Sequence, residues 1–201
     1  MKQQVIFIRG GEAFDTKEEF YHYLQTREFN PFEHHRNWRD WIAWALSENY
    51  DAMTPVMPNK QWADYTAWKI WFERHLVYLN NEPLILIGHS LGATFLLKYL
   101  SENNFPKIIS QLHIVSPVHN NDGLASETIS TFELDDTKIP NIESKAEKIF
   151  LYHSKDDPVV PFHHGQSVAK LLPNAQFLQF ENRLHFNQPA FPELLENINN
   201  H

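Results

Sequence analysis

The segment Ile85-Leu-Ile-Gly-His-Ser-Leu-Gly-Ala93 holds the chemistry this chain advertises most clearly. Within it, Gly88-x-Ser90-x-Gly92 follows an apolar run and precedes a helical one. A serine hydroxyl flanked this way can sit on a sharp strand-to-helix turn and stand clear of the sheet as a nucleophile. Such a hydroxyl is a weak nucleophile until a neighbouring base removes its proton, and that base needs a carboxylate to orient it. On a turn of this kind the partners follow in the order Ser, Asp or Glu, His. The chain supplies both in order. An acidic pair, Asp156 and Asp157, follows the apolar run 148–153 and leads into Pro158-Val-Val-Pro161. His185 follows the alternating segment 175–180. Ser90 and His185 are the expected nucleophile and base. The residues alone leave Asp156 and Asp157 both open as the acid. The chemistry would be acyl transfer, with the Leu91 N–H as one oxyanion donor because it follows the nucleophile.

The elements that must position these groups alternate along the chain. Strands are expected at 3–9, 84–88, 107–116, 149–153 and 176–181, with a candidate edge strand at 50–57 weakened by Pro55. Helices are expected at 20–24, 38–47, 93–99, 62–80, 161–172 and 191–198. The longest is marked by Trp62, Tyr65, Trp68, Phe72 and Leu79 recurring at three or four. Strands alternating with helices imply an α/β fold with a mainly parallel sheet of about six strands, covered on both faces, in one domain over 1–201. Segment 119–145 reads as polar and irregular, too short and too polar for a large apolar cap.

Composition narrows the class. The net charge is −8, from 25 acidic and 17 basic residues, and without basic runs that argues against nucleic-acid binding. The absence of cysteine removes disulfides and thiol chemistry. No leader pattern is visible and no apolar run approaches the ~20 residues of a membrane span, so a cytoplasmic protein without a membrane partner is expected. The adjacent pairs His34-His35 and His163-His164 do not suit a metal site, because neighbours on one element do not face one centre. No cofactor is required. A monomer or homodimer is expected.

With Arg9-Gly10-Gly11-Glu12 after the first strand, Gly-His-Ser-Leu-Gly-Ala, Asp-Asp-Pro-Val-Val-Pro and a closing His-Phe, the chain resembles the α/β-hydrolases over nearly its whole length. More narrowly it is similar to the small serine hydrolases of the retinoblastoma-binding-protein-nine type and their bacterial relatives. The resemblance implies a compact α/β-hydrolase fold with a short or absent cap. It implies Ser90, Asp157 and His185 as triad, since the family's acid stands four residues before the final Pro. It implies the Gly11 N–H as second oxyanion donor, and His89 as a packing or hydrogen-bonding neighbour. The chain departs from the family in having Arg9 where a His is usual and Leu184 where a Gly commonly precedes the histidine. The pocket-protein motif Leu-x-Cys-x-Glu cannot occur without a cysteine.

A small-molecule ester is the expected substrate, held in a shallow, partly aromatic pocket. Phe14, in an aromatic-rich insertion over 11–36, is one expected contact; the tryptophans at helical spacing read chiefly as helix-to-sheet packing, with Trp38 and Trp41 the ones expected to reach the pocket. Other chemistries on the same fold, or a binding protein with an idle site, are the competing classes.

Overall fold

The computed structural model describes residues 1–32, 37–125 and 127–200. The pair His34-His35 lies outside the described residues. Six strands, β1 Gln3–Ile8, β2 Tyr50–Met53, β3 Leu84–His89, β4 Ile109–Val115, β5 Ala146–Ser154 and β6 Gln176–Phe180, form one sheet in the order β2-β1-β3-β4-β5-β6. Every pairing is parallel. All six C-terminal ends therefore lie along one edge of the sheet, where open α/β folds place their sites.

Period-two alternation sorts the core into two layers. Ile6 and Ile8 of β1 face one side with Leu84 and Leu86 of β3; Val5, Phe7, Ile85 and Ile87 face the other. The first side is covered by α3 Tyr65–Leu76, α4 Leu91–Glu102 and α5 Phe162–Leu171, the second by α2 Trp38–Leu46 and α6 Pro192–Asn199. Burial on both faces explains why β3 reads as an unbroken apolar run. A further helix, α1 Lys17–Thr26, starts at Thr16, which forms a capping box with Glu19. That box places the helix start three residues ahead of the expected 20–24. Asp64 likewise caps α3 and starts it later than the expected 62.

The segment expected to be polar and irregular differs from that reading. It forms two 3₁₀ turns, Ser130–Phe132 and Ile139–Ser144, and buries Ile129, Phe132, Ile139 and Ile142 in the layer against α4. Short 3₁₀ turns have no extended hydrophobic period, so four buried side chains escaped a pattern reading. Among the described residues no helix is long and apolar enough to cross a membrane.

Several imidazoles are buried with the apolar core. Burial pushes His89 well below the ordinary 6.5, and pushes His153 and His164 below it as well. An unfolded chain would protonate these rings as pH falls through about 6.5, while the folded chain takes up those protons only at lower pH. Their contribution is present above that pH and lost below it, at up to about 1.4 kcal/mol per pH unit for each. Glu127 acts oppositely: burial pushes it up to about 7. Three groups outweigh one, so thermal melts should show the midpoint falling steadily from pH ~7 to ~5.5. A midpoint that rises over that range would contradict the neutral, buried assignment. A second measurement concerns the 3₁₀ segment. Phe132 is fully buried between Tyr65 and Trp68, so Phe132→Ala should cost about 3–5 kcal/mol in urea unfolding. A peripheral flap would lose almost nothing.

Candidate active site

The turn between β3 and α4 places Ser90 at φ 56° and ψ −128°, outside the basins that L-residues ordinarily occupy. Two close approaches make that geometry possible. A Cβ on Gly88 would lie 2.6 Å from the Ala93 Cα, and one on Gly92 would collide with the Ile8 carbonyl oxygen. Only glycine lets α4 descend this tightly onto β3 and β1. The Ser90 N–H donates to the Val115 carbonyl at 2.9 Å, and the Ser90 carbonyl accepts from the Ala93 N–H at 2.9 Å. The turn is thus tied to β4 on one side and to its own helix on the other.

Asp157 and His185 meet. His185 Nδ1 lies 2.8 Å from Asp157 Oδ2, and both residues are buried. The second carboxylate oxygen, Oδ1, accepts the Val159 and Val160 N–H groups, each at 2.9 Å. Burial alone would raise this carboxyl; the bond to His185 and the two peptide N–H groups overcome that and hold it below the usual carboxylate range. His153 lies beneath, with Nε2 at 2.9 Å from the Val160 carbonyl and 3.7 Å from Asp157 Oδ2.

Asp156 does different work. Its Oδ1 accepts the Ser154 hydroxyl at 2.5 Å and the Leu184 N–H at 3.0 Å, and Ser154 Oγ accepts the Arg183 N–H at 3.0 Å. The neighbouring acid therefore tethers the histidine loop while Asp157 faces the imidazole. Leu184 has φ 48° and Phe186 φ 51°, so His185 sits between two left-handed residues. The position where a glycine is common in similar chains is one where this chain strains a leucine. The loop is pinned again by Phe186, buried against Phe180 and Phe191, whose carbonyl accepts the Trp38 Nε1–H at 2.8 Å. His89 Nε2 lies 3.2 Å from the His185 carbonyl, and burial keeps that ring neutral. This is the hydrogen-bonding place expected of His89.

The loop after β1 runs against the turn: a Cβ on Gly10 would lie 2.9 Å from the Ser90 Cβ. Gly11, Ser90 and Leu91 line one narrow crevice of about 10 Å³ together with Ala13, Val118 and Val160. Leu91 is the first residue of α4, where an N–H has no intrahelical acceptor. The adjacent Glu12 N–H is committed to the Lys60 carbonyl at 2.7 Å. Arg9 reaches sideways instead, with Nη2 2.7 Å from Asp40 Oδ1 and 2.8 Å from the Arg39 carbonyl. It clamps the start of α2 to the end of β1.

A larger cleft of about 620 Å³ opens over Ser90 and His185. The expected contacts Phe14, Trp38 and Trp41 are corrected here, because none of the three lines it, whereas Tyr23 from the same aromatic-rich insertion does. Trp38, Ile42 and Leu46 form the i, i+4 stripe that α2 lays on the sheet, with Trp38 stacked on Phe7. Trp41 packs against the same layer. Phe14 is buried against Phe20 and Tyr23. The rest of the wall is mostly polar and charged, with Glu12, Arg39, Lys60, Glu127 and Asn187 among its residues. Glu12 accepts from the Tyr23 hydroxyl at 3.2 Å and from Arg27 at 3.3 Å. Sequence reasoning missed Arg39 and Glu127. Arg39 carried a signal, as the polar residue beside the Trp38–Leu46 stripe; Glu127, in an aperiodic loop, carried none. His163 and His164 diverge as expected of adjacent residues: His163 pairs with the Asp122 carboxylate, while His164 meets the Asp122 carbonyl and the His119 N–H. Among the described residues no cluster suited to a metal ion is present.

The family model described as Serine hydrolase matches residues 32–198. The chain is 27% identical over 160 residues to the protein named Serine hydrolase RBBP9 of Rattus norvegicus, which spans 79% of this chain and 82% of that one. Among solved structures, the ydeN gene product of B. subtilis aligns with a TM-score of 0.74 at 20% identity, over 98% of this chain and 97% of that one. A lipase-esterase related protein from Clostridium acetobutylicum aligns with a TM-score of 0.63 at 13% identity, over 98% and 93%. These structural likenesses carry the fold, which is that of the α/β-hydrolases. The family match spans most of the sequence and includes the Ser90 turn, Asp157 and His185, and on it the chain belongs to the serine hydrolase family.

Proposed function

We propose that the protein is a carboxylesterase of small or short-acyl esters, acting through a Ser90–His185–Asp157 triad and an acyl-enzyme. The observation that carries the reading is the 2.8 Å contact of His185 Nδ1 with Asp157 Oδ2 in the cleft that also holds Ser90 on its strained turn. Asp157 holds the imidazole with its proton on Nδ1, so that Nε2 accepts the Ser90 proton. The alkoxide attacks the ester carbonyl. The oxyanion is met by the Leu91 and Gly11 N–H groups, which cost no reorganisation because the turn and loop already hold them. His185 then gives the proton to the departing alcohol, and water repeats the sequence on the acyl-enzyme. The crevice beside Gly11 and Leu91 is narrow, which favours short acyl groups.

Two measurements test this. In kcat/KM, acetyl to butyryl esters should match or exceed long-chain esters; a long-chain preference above about tenfold, roughly 1.4 kcal/mol, contradicts the reading. Asp157→Asn should lower kcat by about 10⁴-fold, because the wrong tautomer is then favoured. Asp156→Asn removes only a tether and should lower kcat by no more than about tenfold. Equal losses in the two variants would contradict the assignment of roles.

A further inference from the structure

The chain carries a net charge of −8, yet the cleft over Ser90 is lined by four of its 17 cations, Arg9, Arg27, Arg39 and Lys60, and by only two of its 25 acids, Glu12 and Glu127. The cleft therefore opposes the charge of the molecule around it. Three of these groups have partners. Arg27 pairs with Glu12, Arg9 pairs with Asp40, and the Arg9 guanidinium also donates to the Arg39 carbonyl.

Arg39 and Lys60 differ. Among the described residues neither side chain has a hydrogen bond or an ion pair, but Lys60 is exposed to solvent whereas Arg39 is half-buried. Three unfavourable circumstances meet at this side chain. It is partly withdrawn from solvent, and burial lowers its affinity for a proton. It stands near Arg9, which lowers that affinity further, and Asp40, already paired to Arg9, opposes this only in part. It is also the second residue of α2, where the helix dipole is positive and a cation is misplaced. A cation held in this way without a carboxylate of its own is costly to keep. An anion entering the cleft would offset all three. One unpaired guanidinium balances one negative charge and presents the planar fork that a carboxylate matches.

The chemistry also sorts the two halves of the ester. His185 must return a proton to the leaving alcohol, so that half lies on its side of Ser90. Arg39, His89 and Asn187 share the cleft with His185. The crevice next to Gly11 and Leu91 includes neither Arg39 nor His185; Ala13, Val118 and Ile129 wall it together with Glu127 and Thr128, so it offers no cation. We propose that the acyl group lies on the crevice side of Ser90, away from Arg39, and that the alcohol half of the natural substrate carries a carboxylate, bound by Arg39. The inference rests on the esterase reading above.

The test compares para-acetoxybenzoate with para-acetoxybenzamide. These esters share the acetyl group and nearly share size, and differ in the charge of the leaving group. The wild type should favour the carboxylate in kcat/KM by about tenfold or more at low salt. The preference should shrink as salt rises and approach unity in Arg39→Gln. Because the readout is a ratio on one preparation, it does not depend on how much of a variant folds. Equal turnover by the wild type, or a preference for the amide, would overturn the inference and leave the esterase reading standing. A wild-type preference that survives Arg39→Gln would overturn the assignment to Arg39. Hydrolysis of neither ester would overturn the esterase reading, and the inference with it.

Discussion

Ser90 holds a backbone conformation that serine ordinarily avoids, at a cost of order 1–3 kcal/mol, and it holds it because the packing leaves no alternative. Gly88 and Gly92 let α4 approach β3 and β1 to distances that any Cβ would block. The parallel sheet then determines what surrounds the turn. With every strand running the same way, the end of β1 delivers the glycine loop, the end of β5 delivers Asp157, and the end of β6 delivers the His185 loop to the same edge. The site is assembled from four connections that are distant in sequence and adjacent by topology.

The histidine loop shows how such a connection is kept in place. It has no regular structure and contains two left-handed non-glycine residues, Leu184 and Phe186. Its order comes from outside. Asp156 and Ser154 hold its N–H groups, His89 and Trp38 meet its carbonyls, and the Phe186 ring is locked among Phe180 and Phe191. Trp38 therefore matters to the site as a brace beneath it. Arg9 matters in a similar way, as the clamp that sets the first turn of α2 and with it the position of Arg39. The division of labour between adjacent acids is equally physical: Asp157, buried and fed by two peptide N–H groups, faces the imidazole, while the exposed Asp156 ties down the chain.

Much of this was legible in the sequence, and what was not had identifiable causes. The strands and the order of elements follow from apolar runs and breakers, because a sheet buried on both faces leaves a continuous signal. The Gly88-x-Ser90-x-Gly92 turn was legible because its chemistry needs glycine at fixed offsets. The cleft walls were not. Helical spacing read the tryptophans chiefly as packing, with Trp38 and Trp41 held open for the pocket; α2 lays both on the sheet layer, and Arg39 beside them is left to face the cleft. The buried 3₁₀ turns around Phe132 and Ile142 were missed because such turns lack a period. Glu127 belongs to the cleft only through the path of an aperiodic loop. Pattern reading recovers what repetition encodes; a wall made by long-range placement needs the fold.

The measurement that bears most directly on the account is reaction of the folded wild-type protein with a fluorophosphonate probe, followed by mass spectrometry of the modified peptide. An activated serine attacks phosphorus and is trapped, whereas an ordinary serine hydroxyl does not react. The account predicts a single adduct, on Ser90, abolished by Ser90→Ala. A folded wild type that takes up no probe, or a label on another residue, would contradict it.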